Sequence, residues 1–210
     1  MLKENNIIDN VFNFDIALYL YTTLTHLGSE KGVEQYKKCL EYLDGINDVF
    51  LKTKYYCMLA NRRAIDLKNM FEYEGSLKAI NSVVKINEEM MQALSLVEGF
   101  PQVENTLLRN EELAKAYGTR LQMWPLLWDL NNDEEYVLKA QHDYENALEN
   151  FSKDIDKARQ YLYMAQMQVI CGKFNDALML LGKTENVDFR ENDALDKFLE
   201  ILQGRRFSDA

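Results

Sequence analysis

Apolar residues recur at three-and-four spacing along almost the whole of this 210-residue chain, and only two prolines and nine glycines stand ready to interrupt them. Proline removes a helix donor and crowds the preceding turn, while glycine loosens a helix interior, so their scarcity favours a chain that is helical throughout. The turn residues that short hairpin strands need are too few, and no sheet is expected. The spacing predicts about nine to ten helices, paired as antiparallel hairpins over approximately 11–45, 49–97, 103–151 and 153–184, with a C-terminal capping helix over approximately 192–203. Glycines end the first two helices at Gly28 and Gly45, and Gly99-Phe100-Pro101 ends the fourth. A helix around Leu121 to Leu130 must bend or restart at Pro125. The polar Asn131-Asn132-Asp133 then serves as turn and N-cap. The whole of 1–210 reads as one domain.

With 47% hydrophobic residues the chain can bury a core without staples. Cys39, Cys57 and Cys171 are odd in number and embedded in apolar helical patterns, which fits reduced thiols. Asp and Glu outnumber Lys and Arg by 34 to 24, and a net charge of −10 repels both phosphate backbones and anionic lipid. Neither nucleic acid nor membrane is an expected partner. No apolar run reaches the roughly 20 residues of a membrane span, and no basic-then-apolar leader opens the chain. A soluble cytoplasmic protein, or a soluble domain of a longer one, is expected.

The residues do not assemble a catalytic or metal-binding motif. Gly182-Lys183-Thr184 ends like a phosphate-binding loop, but Ala177 stands where that loop needs its first glycine, and the stretch before it has helical rather than strand spacing. His26 and His142 are the only histidines, and neither follows a glutamate at the three-residue interval of di-iron bundles. From Asp129 to Glu135 oxygen ligands alternate as in a calcium loop, yet Glu134 occupies the sharp-turn glycine position and Ala140 that of the bidentate glutamate. Those acids fit a solvated helix N-terminus. The adjacent pairs Glu88-Glu89, Glu111-Glu112 and Glu134-Glu135 diverge around their helices. No enzyme activity, cofactor or metal is expected.

The clearest internal pattern lies at Tyr161, Met164 and Ala165, then Gly172-Lys173-Phe174, then Ala177, Leu181 and Thr184. This order of large and small residues, terminating glycine, turn aromatic and small contact residue resembles the tetratricopeptide repeat. Trp124, Leu127 and Trp128 with Val137, Ala140, Tyr144 and Ala147 repeat it, although Trp128 stands where the family has a small residue. Ala60 and Ala64 with Tyr73, Ser76, Ile80 and Val83 form a third copy, and Ala17, Leu20 and Tyr21 with Gly28, Val33 and Leu40 a faint fourth. First helices recur at about 37 to 43 residues rather than the family's 34 or so. The resemblance implies an all-α stack of antiparallel hairpins, a tetratricopeptide-like α-solenoid, whose first helices line a concave groove for a peptide or protein.

Charge is unevenly placed. Lys52 to Met70 carries five cations against Asp66, a local +4, whereas Asp129 to Asp156 carries nine acids against Lys139 and Lys153, a local −7. These stretches suit complementary faces, within the molecule or across a homodimer. The repeat resemblance further implies that Asn61, Arg62, Lys68 and Asn69 face the groove, joined by Arg159, Tyr163 and Gln166 from the last hairpin. Asparagine would pair with peptide backbone and the cations with a carboxylate, so a partner with an acidic residue or a free C-terminal carboxylate is expected. The function implied is non-catalytic protein or peptide binding. Alternatives are the ligand-sensing domain of a bacterial peptide-responsive regulator without its output domain and, behind that, an enzyme on an α-bundle.

Overall fold

In the computed structural model the backbone is described for residues 2–95 and 102–184, with side chains for 9–89 and 111–184. Among the described residues there are nine helices and no strand: α1 (Leu2–His26), α2 (Lys31–Asp44), α3 (Val49–Asn69), α4 (Tyr73–Ser95), α5 (Gln102–Leu121), α6 (Trp124–Asn131), α7 (Glu135–Asn150), α8 (Asp154–Ile170) and α9 (Phe174–Gly182). The first helix begins nine residues before its expected start. The expected break at Gly99-Phe100-Pro101 and the capping helix over 192–203 lie outside the described residues. No described helix is long and apolar enough to cross a membrane.

Local chemistry explains the boundaries. Asp48 caps α3 by accepting the Leu51 N–H at 2.8 Å. The chain restarts at Trp124 with Pro125 in the first turn of α6, where its missing donor costs nothing. Asn132 ends α6 in the left-handed region, and Asp133 Oδ1 accepts the Glu135 N–H at 2.9 Å. Three first helices end alike. At Gly28, Phe71 and Gly172 the backbone turns left-handed, with φ of 66°, 64° and 73°. In each case the next N–H reaches back to the third-last helical carbonyl: Ser29 to Leu24, Glu72 to Leu67, and Lys173 to Gln168. Phe71 thus occupies a position that glycine fills in the other two hairpins.

The helices gather in two compact units, Met1–Phe100 and Pro101–Ala210, where the sequence reads as a single domain. In the first, α1 pairs with α2 and α3 with α4, while α3 also meets α1 and α2. Phe14, Ala17 and Tyr21 of α1 pack with Cys39 and Leu43 of α2 and with Tyr55 and Leu59 of α3. The Phe14 and Tyr55 rings lie 4.8 Å apart. The seam between α3 and α4 closes over Ala64, Ile80 and Val83, all fully buried, and the Ser76 hydroxyl donates to the Ala64 carbonyl at 2.7 Å.

In the second unit α9 pairs with α8, and their seam is Ala165, Val169, Ala177 and Leu181, as the repeat pattern implies. The third hairpin differs. The sequence assigns its first helix to Trp124, Leu127 and Trp128, but α5 makes the most extensive contact with α7, over the eight-residue α6. α5 carries the fully buried Ala114 and Ala116, whereas Trp128 of α6 is partly exposed. Gly118 admits the buried Gln160 of α8, whose Oε1 would lie 2.7 Å from an added Cβ. Gly182 closes α9 rather than opening a loop, so it cannot curl around phosphate.

One buried carboxylate ties three helices of this unit. Asp143 of α7, 1% exposed, accepts from Arg120 Nε and Nη2 at 2.7 and 2.6 Å and from the Trp124 indole at 2.7 Å. His142 Nδ1 lies 3.3 Å from Oδ1. Asp143→Ala should cost about 3–5 kcal/mol in a denaturant melt, because it strands a largely buried guanidinium. At the turns, Gly172→Ala should cost about 1–2 kcal/mol through the backbone alone, since an added Cβ meets nothing within 4 Å. Phe71→Gly should raise the unfolding free energy by up to about 1 kcal/mol after glycine's extra chain entropy is deducted, read in the same melt.

Candidate binding groove

Among the described residues of the first unit, a solvent-open groove of about 320 Å³ lies between α2, α3 and α4. It exists because α4 presents Gly75, Ala79 and Ser82 at i, i+4 and i+7, one helical face of small side chains. A Cβ on Gly75 would come into ordinary contact with Leu67 Cδ1 at 3.4 Å. Opposite stand Tyr36 and Leu40 of α2 and Tyr56, Leu59 and Ala60 of α3, so the walls are mostly apolar. The Ser82 hydroxyl donates to the Ala79 carbonyl at 2.7 Å, which leaves Tyr56 as donor in the 3.3 Å Tyr56–Ser82 contact. The Tyr56 oxygen keeps its acceptor capacity.

Arg63 and Lys78 line the same groove, and the Glu72 carboxylate stands at its Gly75 edge, 4.0 Å from where a Cβ would sit. The Arg63 guanidinium lies 5.3 Å from the centroid of the Tyr36 ring, which holds it in place at little entropic cost. Lys78 is exposed and carries no salt bridge among the described residues.

The groove residues expected from sequence lie elsewhere. Asn61 is buried within the helix packing. Arg62 points towards α1: its Nη2 lies 3.2 Å from Asp66 Oδ1, 3.3 Å from Thr25 Oγ1 and 3.5 Å from the Thr22 carbonyl. Asp66 is 3% exposed, so Arg62 is committed to neutralising it. Beside them the Tyr21 hydroxyl ionises only above the usual tyrosine range, because of burial first and the Asp66 carboxylate second. Lys68 is half buried, and loss of water holds its ammonium below the usual lysine range. Asn69 is exposed at the end of α3. None of these four is among the residues lining the groove. Arg63, the next residue along α3, lies over the Tyr36 ring at the groove and also beside the Tyr21 hydroxyl of α1.

Arg159, Tyr163 and Gln166 form a half-buried stripe along α8 of the second unit, with Arg159 3.3 Å from Asp156. The structure therefore brings together Asn61, Arg62, Lys68 and Asn69 only as members of α3, and Arg159, Tyr163 and Gln166 only as members of α8. The groove's own residues had one signal in the sequence, the i, i+4, i+7 run of small side chains on α4. The +4 stretch also disperses around α3. Lys52 lies 3.5 Å from Asp44, Arg62 turns to Asp66, and Arg63 turns to Tyr36.

The thiols of Cys39 and Cys171 are poor nucleophiles. Burial raises the Cys39 thiol to about 12, and Cys171, less buried, is also raised despite Lys173 nearby. Among the described residues no group of His, Cys, Asp and Glu is placed to hold a metal ion. Comparison with protein-family models, curated proteins and solved structures finds no match to this chain.

The division of labour between the two arginines is testable by melting. Arg62→Ala should destabilise the first unit by about 3–5 kcal/mol because it leaves Asp66 buried and uncompensated. Arg63→Ala should cost about 1 kcal/mol, the worth of its aromatic contact. Equal losses would place both side chains in one environment and contradict the assignment.

Proposed function

We propose that the chain is a non-catalytic protein- or peptide-binding module built from tetratricopeptide-like helical hairpins. The observation that carries this reading is the α2–α3–α4 groove, which combines apolar walls, an acceptor hydroxyl and two cations. Such a mixture suits recognition of a side chain and its backbone, with a few polar groups setting orientation. The repeat reading draws support from the common left-handed ending of α1, α3 and α8 and from the small-residue seam between α8 and α9. Hairpins of this kind stack because neither can bury its apolar face alone, and stacking leaves grooves between successive helices.

The test is selection of peptides from a random display library against the purified chain, followed by titration of the winners against Ala79→Trp. That substitution adds a large side chain to the half-exposed wall of the groove without entering the Ala64–Ile80–Val83 seam. Selected peptides should lose at least about tenfold in affinity on Ala79→Trp while the melting midpoint stays close to that of the parent. Ligands indifferent to Ala79→Trp would move the binding surface away from the groove.

A further inference from the structure

We infer that the groove selects an extended peptide segment in which one bulky apolar side chain is flanked by acidic side chains. This rests on the peptide-binding reading above and names the chemistry of the ligand. The volume, about 320 Å³, is enough for one large side chain and its adjoining backbone. A helix about 10–12 Å across would instead need a longer trough to seat successive anchors. The apolar floor between Leu59 and Ala79 supplies the anchor site, and the Tyr56 oxygen can accept a backbone N–H from the segment.

Charge sets the flanks. Arg63 stands on α3 and Lys78 on α4, so a segment lying between these helices meets a cation on each side. Neither cation has a salt bridge to a carboxylate among the described residues, and Arg63 is held over the Tyr36 ring beside the Tyr21 hydroxyl. The chain as a whole, at a net charge of −10, repels an acidic ligand. An anionic segment is therefore favoured at this rim over the remainder of the surface. A cationic segment is disfavoured twice, by Arg63 and Lys78 on contact and by attraction to other parts of the molecule.

The experiment uses the full chain and short peptides capped as N-acetyl and C-amide, so that no terminal carboxylate is present. The probe carries Phe flanked by Glu on both sides. Its controls replace both Glu by Gln, both Glu by Lys, or Phe by Ala. The Glu-flanked probe should bind at least about tenfold more tightly than each control, with affinity falling as salt rises, as expected for charge contacts. It should also shift the backbone amide resonances of Gly75 and Ala79. Lys78→Gln and Arg63→Gln should each weaken it about fivefold or more, and Arg63→Lys should recover part of the loss if charge alone is read.

Equal binding of the Glu and Gln probes at the Gly75 and Ala79 resonances would overturn the acidic requirement while leaving peptide binding intact. Binding only by a peptide with a free C-terminus, or by a small apolar acid such as a long-chain carboxylate, would overturn the extended internal segment as occupant. Failure of every peptide to shift those resonances, with display-selected peptides shifting others, would overturn both the inference and the groove reading beneath it.

Discussion

The ion pair between Arg62 and Asp66 decides how the first unit can use its charge. Helix α3 meets α1, α2 and α4, and with neighbours on three sides it buries polar residues as well as apolar ones. Asp66 is among them, and a carboxylate out of water must be answered by a nearby cation. Arg62, one turn earlier at i−4, supplies it and extends to the end of α1 through Thr22 and Thr25. The pair thus ties α3 to α1 and removes Arg62 from the set of groups a ligand can use. What remains at the edge of the apolar groove is Arg63, resting on Tyr36.

The second unit solves a similar problem with a different geometry. Asp143 is enclosed by α5, α6 and α7, and its oxygens are satisfied by the forked contact from Arg120 and by the Trp124 indole. The bidentate contact constrains direction as well as distance, which suits a junction where the short α6 must be placed against two longer helices. Here the small residues of α5 and the indole of α6 share the role that a single first helix has in a regular hairpin. In both units the packing of apolar seams brings the helices together, and one arginine–aspartate pair fixes how they meet.

Much of this architecture was legible from the sequence because helix ends leave local marks. Gly28 and Gly172 stop helices for the reason that makes glycine easy to place left-handed, and Asp48 and Pro125 sit where first turns accept them. Phe71 escaped that logic, since its side chain gives no sign of a positive φ. The pairing of α5 with α7 was not legible, because Trp124 and Trp128 imitate the first helix of a repeat. Asp143 was counted among the nine acids of a stretch read as one of two complementary charged faces. Its register, three residues after Ala140 and four before Ala147, placed it on the buried face, and that spacing was the available signal. For Arg62 and Arg63 the sequence carries no equivalent clue, since the choice between them depends on which helix lies on which side of α3.

On the proposed reading, the cleft between α2, α3 and α4 receives a peptide ligand. Replacing the apolar anchor of a bound peptide with benzoylphenylalanine, irradiating the complex with the full chain, and mapping the adducts by mass spectrometry locates that peptide. Crosslinks should fall on Tyr36, Tyr56, Leu59 and Ala79, the walls of the groove. Crosslinks confined to the α8 stripe of Arg159, Tyr163 and Gln166, or to the exposed end of α3 at Asn69, would contradict that reading.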